Sequence, residues 1–198
     1  FCMCCATTYP CGMPNSVFDE LSKCRLCAER FAATKTQHEP RPVFHGDPSA
    51  RILIAGQAPG ARVHQSGLPF TDPSGDRLRD WMDVTEAEFY DPARIVILPM
   101  AFCFPGYNEK SADLPPPPIC ARTWRARVIA GFPNIRLTVV IGQYAQKWHL
   151  PQFSNVTDTV RGWKAQGPDV FPLPHPSWRN TAWLKKNPWF EIDLLPEL

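Results

Sequence analysis

Four cysteines and two short turns hold most of the side-chain chemistry of this chain. Cys24 and Cys27 form a Cys-x-x-Cys pair, while Cys103 and Cys120 stand 17 apart and bracket a proline-rich loop. A close pair and a distant pair of thiolates can clamp one metal centre in a cytosolic protein. Two disulfides or four scattered core thiols are the structural alternatives. The close pair follows no strand of a βαβ unit, which argues against a thioredoxin-like dithiol. The first turn lies in Arg51-Ile-Leu-Ile-Ala-Gly-Gln-Ala-Pro-Gly60. Its apolar run, Ile52 to Ala55, suits a strand buried on both faces. The glycines of Gly56-Gln57-Ala58-Pro59-Gly60 then let the backbone turn sharply and approach a ligand closely. Open parallel sheets bind ligands beyond the carboxyl ends of their strands, so this turn is a candidate active-site floor. The second turn, Pro174-His175-Pro176-Ser177-Trp178-Arg179-Asn180, follows another short apolar run and would stand at the end of its own strand.

Elements able to hold these turns can be read along the chain. Ser16 can cap a helix from about Val17, with Asp19 and Glu20 at its positive end and Phe18, Leu21 and Leu26 on its apolar side. Residues 34–50 are polar and proline-rich, hence a connection. After the strand at 51–55, a loop of about twenty residues leads to Ser74 as the cap of a second helix, which buries Leu78, Trp81 and Met82. Arg94 to Leu98 and Leu137 to Ile141 are two more buried strands, and Val170 to Leu173 is a fourth. Helices are expected at about 119–130, from Gly142 to about Trp148, and over 181–195 with a break at Pro188. Pro115 to Pro118 make a stiff spacer. Strands alternating with helices give an α/β fold, a three-layer α/β/α arrangement around a mostly parallel four-stranded sheet.

Composition narrows the function. A chain of 198 residues can bury one substantial core, so residues 17–198 are expected to form a single domain. The crowded Cys2, Cys4, Cys5 and Cys11, and a first residue other than Met, suggest that residues 1–16 are a ragged or artefactual start, with a metal-binding tail as the alternative. A net charge of +2 supplies no overall polycationic field, so any nucleic-acid contact must come from a local patch. Arg161, Lys164, Arg179, Lys185 and Lys186, interleaved with Trp163, Trp178, Trp183 and Trp189, are the candidate patch. No apolar run reaches the ~20 residues of a membrane span. A monomer in the cytoplasm is the expectation.

Taken together, Gly56-Gln57-Ala58-Pro59-Gly60, Gly67-Leu68-Pro69-Phe70 and His175-Pro176-Ser177 resemble the motifs of the uracil-DNA glycosylase superfamily. The resemblance is to its iron–sulfur branch, the bacterial and archaeal groups usually numbered four and five. There, a glycine-rich turn follows the first strand, a Gly-Arg-Pro-Phe segment comes next, and a His-Pro-Ser or His-Pro-Ala turn follows the last strand. The cysteines match as well, because members hold a [4Fe–4S] cluster with a Cys-x-x-Cys near the start and a distant pair astride a proline-rich loop. The resemblance spans roughly residues 17 to 180.

It implies a DNA glycosylase that removes uracil or other deaminated bases, with DNA carrying a damaged base as its partner. A non-catalytic nucleic-acid or nucleobase binder of the same superfamily is the alternative. By resemblance, Phe70 would stack on a flipped base held by Gly56, Gln57, Ala58 and His175, and His175 would donate a hydrogen bond to the base carbonyl. Ser177, Trp178, Arg179 and Asn180 would meet the DNA, Trp178 and Arg179 where members push a wedge into the duplex. Cys24, Cys27, Cys103 and Cys120 would hold the cluster. The chain departs from the pattern in three places. Gln57 replaces a Glu of group four, and Ala58 replaces the acid of the best-known family. Pro99 stands where group four has an Asn that reads the base. Water positioning therefore falls to Asp72, one residue short of an Asp in group five, with His64 as second candidate and Gln57 as a partner. Without the Asn, a broader taste for deaminated bases fits better than strict uracil selectivity.

Overall fold

A computed structural model describes residues 16–198. The four early cysteines and nearly all of the expected ragged start lie outside the described residues. Strands β1 (Ile52–Ala55), β2 (Ile95–Ile97), β3 (Leu137–Ile141) and β4 (Val170–Leu173) form one sheet in the order β2-β1-β3-β4. All three pairings are parallel. The register places Ile54 between Ile97 and Val139, and Val139 beside Phe171. Side chains alternate across a strand, so this row faces one layer and Leu53 and Val96 face the other. The first face buries Leu78, Trp81, Phe89, Val160, Phe190 and Leu194. The opposite face buries Leu21, Phe102, Trp124, Val128 and Phe132. The expected three layers follow directly from strands that are apolar on both sides.

In chain order the helices are α1 (Val17–Ser22), α2 (Ala28–Ala32), α3 (Ala61–Ser66), α4 (Pro73–Met82) and α5 (Glu86–Phe89). Next comes one continuous segment of α6 (Pro118–Cys120), a π turn (Ala121–Arg125) and α7 (Ala126–Ile129), followed by α8 (Gly142–His149), α9 (Val156–Arg161) and α10 (Thr181–Lys186). Ser16 Oγ caps α1 by accepting the Asp19 N–H at 3.2 Å, as its residue type requires. The structure corrects several details. The loop before α4 contains α3, bounded by Gly60 and by Gly67 in the left-handed conformation. Asp72, not Ser74, caps α4, because Pro73 takes the first helical position, where its missing N–H costs nothing. Leu26 is 59% exposed and lies beyond the end of α1, so it is no part of that helix's apolar side. Pro116 and Pro117 are buried, which makes the proline run a packed spacer.

The connection after residue 40 protects the sheet edge. His45 exchanges both backbone hydrogen bonds with Ile97, at 3.1 and 2.7 Å, in an antiparallel bridge along the outer side of β2. Gly46 follows at φ +131, and a Cβ there would stand 2.6 Å from Val96 Cα. Gly46→Ala combines a disfavoured backbone angle with a collision against main chain. It is expected to destabilise the fold by about 2–4 kcal/mol, read from the midpoint of urea denaturation.

Candidate active site

The strand order reverses direction between β1 and β3, and this is where an open α/β sheet offers a crevice at its carboxyl ends. A cavity of ≈ 560 Å³ opens there, within the size range of small-molecule sites. Gly56, Gln57 and Ala58 from the turn after β1 line it, with Phe70 and Asp72 from the approach to α4 and His175 from the turn after β4. Ser177, Trp178, Arg179 and Asn180 form the adjoining wall. The two turns, far apart in sequence, thus close on one space. Pro99 lines it too and sets an apolar ring on its wall.

His175 is held by its own turn. The Ser177 N–H donates to His175 Nδ1 at 3.2 Å, and Asn180 Nδ2 donates to the His175 carbonyl at 2.7 Å. An Nδ1 that accepts carries no proton, so the neutral ring bears its hydrogen on Nε2. Burial pulls the imidazole below its usual pKa, against the opposing pull of Asp72 and Asp113. The ring is a neutral donor at pH 7. Arg77 anchors the turn to α4 through the Ser177 carbonyl at 3.1 Å.

Phe70 has a left-handed backbone, φ +58, which a bulky residue rarely adopts. Neighbours over-determine it. Tyr90 Oη donates to the Pro69 carbonyl at 2.7 Å, and Arg79 reaches the Phe70 carbonyl at 3.4 Å. A Cβ on Gly75 would lie 1.8 Å from that same carbonyl oxygen, so glycine is required there. The Phe70 ring stands edge-on to Phe89 at 6.1 Å and flanks Gly56, leaving it partly exposed on the cavity side. Asp72 Oδ1 accepts the Ser74 and Gly75 N–H groups at 3.1 and 3.3 Å, which fixes the carboxylate at the N-terminus of α4 and leaves Oδ2 without such a bond.

Other expected residues lie elsewhere. His64 is not on the cavity wall; it packs against His38 and Phe104, with its Nδ1 buried and unpartnered. Trp163 is buried and stacks on Phe171, and Trp183 and Trp189 pack on each other and on Phe190. Their spacing among basic residues reflects core packing. Trp178 differs, since 74% of it is exposed. Ser177 Oγ accepts the Arg179 N–H at 3.2 Å, so its hydroxyl is engaged in the turn. The cavity also includes Arg62, Asp113 and Leu114, which sequence inspection did not single out. Arg62 comes from the short helix α3 and Asp113 and Leu114 from a loop, none of them in a motif, and only the fold brings them here.

Cys24, Cys27, Cys103 and Cys120 line a second, apolar cavity with Leu21, Phe31, Phe102 and Trp124. All four are free thiols, so neither proposed disulfide is present. Trp124 Nε1–H donates to Cys24 Sγ at 3.3 Å and the Phe102 N–H to Cys120 Sγ at 3.4 Å, while the backbone N–H of Arg41 serves Cys103. Burial, with added repulsion from the other cysteines, pushes Cys103 up to about 12 and Cys120 to about 11. Among the described residues, no three Cys, His, Asp or Glu side chains converge as a single metal ion requires. Four sulfurs line one apolar hollow and three of them receive N–H donors, a ligand set that a larger polynuclear body would take.

The uracil DNA glycosylase superfamily model matches residues 43–198. The chain belongs to this superfamily. Its members are glycosylase-type hydrolases that act on DNA. The match begins after Cys24 and Cys27, so it does not bear on the iron–sulfur branch. Among the described residues no helix is long and apolar enough to cross a membrane.

Buried histidines predict acid lability. His175 and His149 both have pKa values lowered by burial, the latter to about 3. Below the unfolded value of about 6.5 the unfolded chain binds protons that the native state refuses, so stability falls as pH drops from there towards the native pKa values. Each group adds a slope of up to about 1.4 kcal/mol per pH unit. His175→Gln is expected to flatten the dependence measured by denaturation between pH 6.5 and 5.

Proposed function

We propose that the chain is a DNA glycosylase that hydrolyses the N-glycosidic bond of uracil or another deaminated base. The observation that carries this reading is the meeting of Gln57, Phe70, Asp72 and a neutral, Nε2-protonated His175 on one cavity. A flipped base would stack on Phe70. As the bond from C1′ to the base nitrogen breaks, its electron pair passes to the base, and His175 Nε2–H donates to the carbonyl oxygen where charge gathers. Asp72 would position water through Oδ2 and take its proton as the oxygen bonds to C1′. Gln57 can hold that water or the base but cannot accept the proton. Trp178, exposed at the rim, would enter the gap left by the flipped nucleotide. Arg179, with Ser177 and Asn180 holding the turn beneath it, would meet phosphate. Pro99 in place of an amide favours tolerance of several deaminated bases. We place this monomeric enzyme in the cytoplasm, where its thiols would stay reduced.

We assign a [4Fe–4S] cluster to Cys24, Cys27, Cys103 and Cys120, as in the iron–sulfur branch that the motifs resemble. When bound, it would supply a cross-link between the α1–α2 turn and the proline-rich loop, not electrons for turnover. Iron quantification and absorbance near ~400 nm in anaerobically purified protein should show the cluster, and Cys120→Ser should lose it.

Duplexes carrying uracil, hypoxanthine or xanthine test the activity. Abasic product is expected from at least one of them. His175→Ala should lower single-turnover rates about 10²–10³-fold, and Asp72→Asn about 10²–10⁴-fold. Binding without abasic product would establish the non-catalytic alternative, and no binding at low salt would remove both.

A further inference from the structure

Arg125 is the most anomalous charge in the molecule. It closes the π turn, is wholly buried, and has no carboxylate partner among the described residues. Its NH1 donates to the carbonyls of Leu98 and Pro99 at 2.5 and 3.1 Å, and its Nε–H finds no acceptor. NH2 meets His149 Nε2 at 2.7 Å. A guanidinium has only donors, so this nitrogen must accept, and His149 is neutral with its proton on Nδ1. Every identified polar partner of the cation is therefore uncharged. The Trp148 ring lies 5.5 Å from its Cζ and gives partial cation–π compensation, but no anion faces it among the described residues, and a buried charge without one is costly. Burial lowers its pKa to about 9, which still leaves it charged at neutral pH, and the nearby Cys120 is the one group that pulls the other way.

The chain geometry explains that proximity. Residues five apart lie on different faces of an α-helix. Here the wider turn at Ala121–Arg125 carries i→i+5 hydrogen bonds and brings Arg125 round towards the side of Cys120. Trp124, the neighbouring residue, donates to Cys24 Sγ. The π turn thus faces the thiol cavity with one indole donor and has one buried cation behind it.

We infer that Arg125 is the built-in counter-cation of an anionic metal–thiolate centre at the four cysteines. It acts as a positioning and charge-compensating residue, and it touches no substrate. A cation beside such a centre favours the more negative, reduced state, so it raises the reduction potential. It also favours the thiolate form of the ligands and hence metal retention. The inference rests on the cluster assignment above and is independent of glycosylase activity.

The test uses the intact, anaerobically purified protein. Arg125→Gln keeps an amide donor for the Leu98 and Pro99 carbonyls and removes the charge; Arg125→Met removes both; Arg125→Lys keeps the charge and loses the fork. Reduction potential would be followed by a dye-mediated titration with electron paramagnetic resonance, and iron loss by the rate of transfer to a chelator. Gln and Met variants should titrate at more negative potential and release iron faster, at least several-fold. The Lys variant should return both towards the native values. If only the Lys variant folds, the need for positive charge is supported. Equal potentials and release rates across the folded variants would overturn the inference, as would failure of all three to fold, which would leave only the fork's hold on the carbonyls. Native protein without iron would instead remove the cluster assignment itself.

Discussion

The backbone leaving β2 has to serve two neighbours at once, and the rest of the molecule is arranged around that. The Met100 N–H donates to the Gly56 carbonyl at 2.9 Å and the Ala101 N–H to the Gln57 carbonyl at 3.1 Å. One residue later the Phe102 N–H turns to Cys120 Sγ, and Cys103 follows. All four residues are buried, so their polar groups have no water to fall back on. The first turn of the candidate site and the thiol cavity therefore share one short rigid segment. Arg41 ties them a second time. Its backbone N–H serves Cys103, and its guanidinium holds the final carbonyls of α3, His64 at 2.5 Å and Gln65 at 2.7 Å. Whatever fixes the cysteines also fixes the walls around Gln57. On the proposed cluster assignment, these bonds would let a metal centre act structurally, without any electron transfer.

A second constraint acts at the start of α4. Phe70 carries an unfavourable backbone angle, and Asp72 spends one oxygen on capping. Strain of this kind persists only where packing over-determines it. Gly75, Tyr90 and Arg79 provide that packing, and the gain is a ring and a carboxylate set in place before any ligand arrives. Positioning without later rearrangement is what a hydrolytic site needs.

The large features were legible in the sequence because each has a strong local signature. Four short apolar runs ended by Gly or Pro became the four strands, and the turns after β1 and β4 fell at the sheet's carboxyl end. Short helices escaped. α2, α3 and α5 have five, six and four residues, too few for a 3.6-residue period to declare itself. A signal did exist for α5, since Thr85 and Glu88 form a capping box. Pro73 likewise marked Asp72 as the cap. The tryptophans were ambiguous in principle. Trp163, Trp183 and Trp189 look like Trp178 in sequence, and only tertiary packing separates three core rings from one exposed ring. Asp113 and Arg62 had no signature, because one sits in a loop and the other on the six-residue α3, and both reach the cavity through the fold and not through spacing.

The charges around the cavity now make a consistent pattern with the absence of an acid at position 57. Arg62 and Arg179 are exposed on its lining, where a phosphodiester chain would be attracted. Asp72 and Asp113 also line it and both act on His175. On the proposed chemistry the sugar gains positive charge while the base gains negative charge. Carboxylates stabilise the first and oppose the second, so the group facing the base must be a donor that brings no negative charge. A neutral imidazole whose Nδ1 is already occupied meets that need. Gln57 fits the same logic: an amide beside the base can donate and accept, whereas a third carboxylate would add repulsion where negative charge develops. The loss of the acid in the first turn is then compatible with hydrolysis, provided that proton acceptance has moved across the cavity to the start of α4.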